Sequence, residues 1–109
     1  VKDEQNYLLH IRDAIERIRL YTDEGRDVFL SDIKTQDAVI RNLEIIGEAV
    51  KHLSNVTTER CPDIPWKQIA GMRDVLIHHY FGVKIDAVWE VVEQHLGPLA
   101  EAVEHLLSP

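Results

Sequence analysis

Residues 72–82 read "MRDVLIHHYFG", which sets an arginine, two adjacent histidines and a tyrosine inside an apolar helical pattern. A helix packs on its apolar residues alone, so this much polar chemistry near one helix end points to a site. Arg73 offers a permanently charged, planar fork that matches a phosphate through paired hydrogen bonds. His78 titrates near neutrality and can take up or return a proton at physiological pH. Near a helix C-terminus, the negative end of the dipole favours its charged form. Asp74 can orient either partner by hydrogen bonding. A phosphate clamp with a proton shuttle is what metal-independent RNA cleavage requires. The ribose 2′-hydroxyl is deprotonated and attacks its own phosphorus, and the departing oxygen is reprotonated.

Helical geometry constrains that chemistry. At about 100° per residue, Tyr80 lies roughly 20° from Arg73, whereas His78 lies about 140° away, on the side of Lys67 and Asp74. Ile69, Met72 and Leu76 face the core, with His79 near that edge. Arg73 and His78 therefore diverge on one ideal helix. A shared site needs an arginine that reaches around the helix, an irregular last turn, or a second chain, whose twofold symmetry would bring two motifs together. The competing structural reading pairs Arg73 with Asp74, or with a glutamate elsewhere, and leaves the histidines as surface and half-buried polar groups.

The elements that must position these residues are helical. Leu8, Ile11, Ile15 and Ile18 recur at helical spacing across residues 2–21, with Arg12, Asp13, Glu16 and Arg17 opposite, until "TDEGRD" interrupts at Gly25. In "TQDAVIRNLEIIGEAVKHLS", Val39, Leu43, Ile46, Val50 and Leu53 form one stripe, and Ala38, Ile45 and Ala49 form a narrower second one. This helix therefore packs on two sides, as the centre of one bundle or against a second subunit. "NVTTERCPDIP" reads as a loop, Pro65 as the first turn of a third helix reaching Tyr80, and Gly82 as its left-handed cap. The fourth helix starts near Lys84 and keeps one apolar phase from Ile85 to Leu106 across Gly97-Pro98, so it is kinked or split into two. The expected fold is an all-α, up-and-down bundle of four main helices, one domain over residues 1–109. Trp66 packs the start of the third helix, and Trp89 borders the apolar face of the fourth.

Composition narrows the function. Lys and Arg number 12 against 19 Asp and Glu, a net charge of −7. A broad phosphate-binding surface carries clustered positive charge, so only a small local cationic site is compatible. The lone Cys61 excludes a disulfide framework and a C-x-x-C site, and is read as an inert loop residue. His10, His52, His95 and His105 are scattered, without a metal-ligand spacing. No apolar run is long enough for a membrane span, and no export signal opens the chain, so a cytoplasmic protein is expected. A chain opening on Val1 is expected to lack its initiator methionine, or a little more.

The segments "TQDAVIRNLEIIGEAVKHL" and "PDIPWKQIAGMRDVLIHHYFGVKIDAVWEVV" resemble the HepT-like branch of the HEPN superfamily over nearly the whole chain. Arg73-Asp74-x-x-x-His78-x-Tyr80 is similar to that branch's R-polar-x-x-x-H-x-Y signature. The resemblance implies a helical homodimer whose two motifs meet in an interfacial cleft, and a toxin ribonuclease of a type VII-like toxin–antitoxin pair. By position, Arg73 and His78 become the catalytic pair and Asp74 the supporting polar residue. Many relatives carry asparagine at that position; an aspartate keeps the acceptor but lowers the local positive potential. His79, where relatives are often small or polar, adds a second proton carrier or packs. In similar systems a minimal nucleotidyltransferase antitoxin of the MntA type uses ATP and Mg²⁺ to attach AMP to the motif tyrosine, here Tyr80. The added phosphate would block RNA beside Arg73. Cleavage itself needs no cofactor on this resemblance, and the RNA is a tRNA or an mRNA. Arg41, Asn42 and Glu48 of the second helix could line the cleft. The alternative is a non-catalytic helical subunit that binds the nucleotidyltransferase or presents its substrate.

Overall fold

The computed structural model describes residues 2–78 and 84–108, with the side chains of residues 4–76 and 84–108. Among these, every regular element is a helix, as the apolar spacing requires. Helix α1 (Lys2–Tyr21) buries Leu8, Ile11, Ala14, Ile15 and Ile18 along one face. The Thr22 hydroxyl donates to the Ile18 carbonyl, 2.8 Å, as the helix ends. The chain then turns through Gly25 at φ 94°, a conformation that side chains with a Cβ rarely adopt.

Two short helices depart from the sequence expectation. Helix α2 (Arg26–Ser31) follows Gly25, where only an interruption was expected. It buries Phe29 alone, so it is too short to print a period in the sequence. Helix α4 (Asn55–Thr58) lies inside the expected loop and is capped by the Ser54 hydroxyl, which accepts from Thr57 N–H. The buried Glu4 carboxylate of α1 in turn accepts from the backbone N–H and hydroxyl of Ser54.

The long helices match their expected spans with small shifts. Helix α3 (Ile33–Lys51) starts two residues before the quoted segment, because Asp32 caps it by accepting from Lys34 N–H and from the Thr35 hydroxyl. Helix α5 (Trp66–His78) begins after Pro65, whose carbonyl accepts from Ile69 N–H; the proline precedes the first turn instead of occupying it. The expected continuation to Tyr80 and the Gly82 cap lie outside the described residues. The fourth element is two helices, α6 (Ile85–Gln94) and α7 (Leu96–Leu107), parted at His95, with Pro98 in the first turn of α7.

Helix α3 packs between α1 and α5, and α1 also packs on α7. Helix α3 therefore packs on two sides within the chain. Val39, Leu43 and Ile46 meet Ile11, Ile15, Ile18, Phe29 and Val103 in the fully buried core. Trp89 stacks at a tilt on Phe29, ring centroids 5.3 Å apart, and tucks α6 over α2. Arg17, assigned to the solvent face, donates Nε–H to the buried Asn42 at 2.7 Å. Arg17 itself stays exposed, as its phase required, and the bond ties α1 to α3 at the edge of the packing. Asn42 is thereby a strut between α1 and α3.

Candidate functional site

The site begins with a missing side chain. A Cβ on Gly47 would lie 3.0 Å from Arg73 Cβ and 3.0 Å from the Ile69 carbonyl oxygen. Glycine at this position lets α3 and α5 touch backbone to backbone, and it sets the next residue, Glu48, beside Arg73. The Glu48 carboxylate forms an ion pair with Arg73, Oε2 to Nε 2.8 Å. On its other edge Arg73 reaches Asp74, Nη1 to Oδ1 3.1 Å, and Asp74 takes the Lys51 ammonium at 3.3 Å. The second Glu48 oxygen lies 3.5 Å from His52 Nε2, one turn further along α3.

The result is a row of alternating charges, Glu48–Arg73–Asp74–Lys51, strung from α3 to α5, with the His52 imidazole beside Glu48. Lys51, by its hydrogen bond and then its charge, holds the Asp74 carboxyl below the usual aspartate range, with help from Arg73. Arg73 remains partly open to solvent, its side chain 36% exposed. Among the described residues, its closest contacts to Glu48 and Asp74 run through Nε and Nη1. Both structural alternatives for Arg73, pairing with Asp74 and with a distant glutamate, are realised at once.

Arg73 stands at the edge of an open groove of about 360 Å³. Arg41 and Glu48 line it, as do Tyr7 and His10 of α1 and His52 of α3. The rings of Tyr7 and His52 are stacked, 4.5 Å between centroids and 7° between planes. His10 meets Tyr7 edge-on at 6.2 Å. Sequence reasoning passed over this cluster: Tyr7 drew no attention, and His10 and His52 looked scattered. The i, i+4 spacing of Glu48 and His52 was the available signal.

The remaining motif residues are less fully placed. His78 is the last described residue of α5, and its side chain, with all of His79 and Tyr80, lies outside the described residues. The expected divergence of Arg73 and His78 lies there too. Met72 and Ile69 pack against the core and Leu76 is buried, as their phase required. Cys61 sits in the loop before α5, where its carbonyl receives Trp66 Nε1–H at 2.9 Å. Among the described residues no three of His, Cys, Asp or Glu converge as metal ligands, and no helix is long and apolar enough to cross a membrane.

Comparison with known proteins gives this geometry a family. "Probable ribonuclease HepT" of Thermococcus cleftensis is 45% identical over 106 residues, covering 96% of this chain and 96% of that protein. "Putative RNase MJ0127" of Methanocaldococcus jannaschii is 46% identical over 108 residues, 98% of this chain and 89% of the relative. A longer protein of the same organism, "Gamma-glutamylcyclotransferase and putative RNase MJ0434", is 48% identical over 108 residues. There the chain spans about half of the relative's length, 49%. No solved structure matches the chain. The family model described as "Ribonuclease HepT-like" matches residues 11–106, which include the Glu48–Arg73 pair and the whole motif to Tyr80. The chain belongs to the HepT-like ribonuclease family, a membership that supports the ribonuclease activity expected from its sequence.

Proposed function

We propose that this protein is a metal-independent toxin endoribonuclease of a toxin–antitoxin pair. The observation that carries the reading is the seating of Arg73 at the rim of an open groove, paired with Glu48 and still 36% exposed. A phosphodiester oxygen suits that guanidinium, since arginine donates in a fixed plane. His78 follows one turn later on the same helix and supplies the proton transfers. Two copies of the chain complete the cleft, because Arg73 and His78 point apart on one ideal helix. Tyr80 then receives AMP from a minimal nucleotidyltransferase antitoxin that uses ATP and Mg²⁺, which places negative phosphate beside the clamp. Asp74 and His79 support the pair, the RNA is a tRNA or an mRNA, and the protein acts in the cytoplasm.

The two carboxylates on Arg73 favour a second reading, a non-catalytic helical subunit of the nucleotidyltransferase, because they neutralise the clamp in the absence of RNA. Expression of wild type and His78→Ala, with and without the nucleotidyltransferase, separates the two. Scored together are growth and the intact mass of the Tyr80-containing peptide. The toxin reading expects growth arrest by wild type alone, relief by His78→Ala, and relief by the partner together with an added AMP mass. Equal growth of wild type and His78→Ala, with tight partner binding by both, would favour the second reading.

A further inference from the structure

We infer that the Tyr7–His52 stack is a nucleobase subsite, which takes one unpaired base of a single-stranded RNA next to the phosphate at Arg73. The inference rests on the ribonuclease reading and names what that site holds beyond the phosphate. Three rings, His10, Tyr7 and His52, line one groove together with Arg73 and Arg41. Tyr7 and His52 already lie nearly parallel, and the His52 side chain is still 47% exposed. An open planar face beside a phosphate clamp is the arrangement that single-stranded nucleic acids recognise, because every base has a face to stack. Glu48 couples the two parts. One of its oxygens faces His52 Nε2 at 3.5 Å, and the other holds Arg73 Nε at 2.8 Å. A base added to the stack is therefore one carboxylate away from the clamp. The groove's volume of about 360 Å³ falls within the ordinary small-ligand range.

The chemistry also sets the selectivity. A base can join the stack only after leaving its own helix, so loops and single strands bind and duplex RNA does not. Stacking carries little sequence information, so the preference is for an unpaired nucleotide of any type. Arg41, exposed and paired with Glu44 at 3.6 Å, is free to exchange that partner for the next phosphate along the strand.

The test uses the full chain and a short single-stranded RNA carrying 2-aminopurine, whose fluorescence falls when it stacks, along with steady-state cleavage of the unlabelled RNA. Wild type and Tyr7→Phe, which keeps the ring, are expected to quench the probe. Tyr7→Leu and His52→Ala are expected to lose the quench and to raise KM about tenfold or more, the size of one base–aromatic contact. Tyr21→Leu, at the far end of α1, is the control and should match wild type. If Tyr7→Leu fails to fold by circular dichroism, the exposed His52→Ala decides. Unchanged quench and KM in the folded ring-deleted variants overturn the subsite and leave the ribonuclease reading standing. Absence of RNA binding and cleavage in wild type overturns that reading, and the subsite with it.

Discussion

Glu48 of α3 pairs with the Nε edge of Arg73 on α5 at 2.8 Å, beside the point where Gly47 lets the two backbones meet. The glycine and the glutamate are adjacent in "RNLEIIGEA", so a single short segment of α3 both admits α5 and orients its arginine. On the ribonuclease reading proposed above, the fork is held before a phosphate arrives, and pre-orientation of this kind lowers the ordering entropy of binding. On that reading the same carboxylate competes with the phosphate for positive charge. Orientation and competition act on different kinetic constants, so they can be separated.

Glu48→Ala should lower kcat for RNA cleavage by about tenfold while leaving KM unchanged or lower, because the clamp loses its orientation and its competitor together. Stability should change little, since half-exposed ion pairs contribute about 0–1 kcal/mol. Steady-state kinetics with a urea melt would check this. A rise in KM at constant kcat would contradict the orienting role.

Gly47→Ala sets two effects against each other. Alanine favours the helix by about 1 kcal/mol. The new methyl, however, meets the Ile69 carbonyl and Arg73 Cβ at 3.0 Å, and helix backbone cannot step aside as a flexible side chain would. Overpacking of this kind costs about 1–3 kcal/mol, so net destabilisation is expected, together with loss of activity as α5 moves away from Glu48. Urea midpoints of the two proteins decide the sign.

Acid should weaken the fold through two carboxylates. The Ser54 backbone N–H, aided by the Thr57 and Ser54 hydroxyls and opposed by desolvation, holds Glu4 below its ordinary 4.5. Lys51 and Arg73 hold Asp74 below its ordinary 3.8. Each group binds its proton more weakly folded than unfolded. The stabilisation is therefore complete above the ordinary value and is lost as pH falls through the folded one. Urea midpoints should fall on the acid side of about 4.5, and Glu4→Gln should flatten that fall. The share of the half-exposed Asp74 should shrink in high salt.

Asn42→Ala should destabilise by about 1–3 kcal/mol, because it removes a buried acceptor from the charged Arg17. Activity per folded molecule should survive, as Asn42 lies outside the groove. A specific loss of kcat in folded protein would return it to the cleft.

How far the sequence could be read depended on period and distance. The stripes of α1 and α3 were plain, because four or more buried residues repeat at helical spacing in each. Helices α2 and α4 left no trace: α2 buries only Phe29, and α4 buries nothing and rests on the Ser54 cap and Glu4. Arg73 stood out by its type and neighbours. Its partner Glu48 could be suspected only as one of several polar residues on the preceding helix, since the pairing depends on how close α5 comes to Gly47. Tyr7 was invisible because its stack with His52 joins α1 to the end of α3, and nothing local to Tyr7 announces a ring so far along the chain.

The central claim is cleavage by Arg73 and His78 without a metal ion. The most direct measurement is cleavage of single-stranded RNA, in excess chelator, by the unmodified wild type and by Arg73→Ala and His78→Ala variants confirmed to be folded. The account predicts cleavage by wild type in chelator and its loss in each variant. Cleavage that survives both substitutions would contradict it.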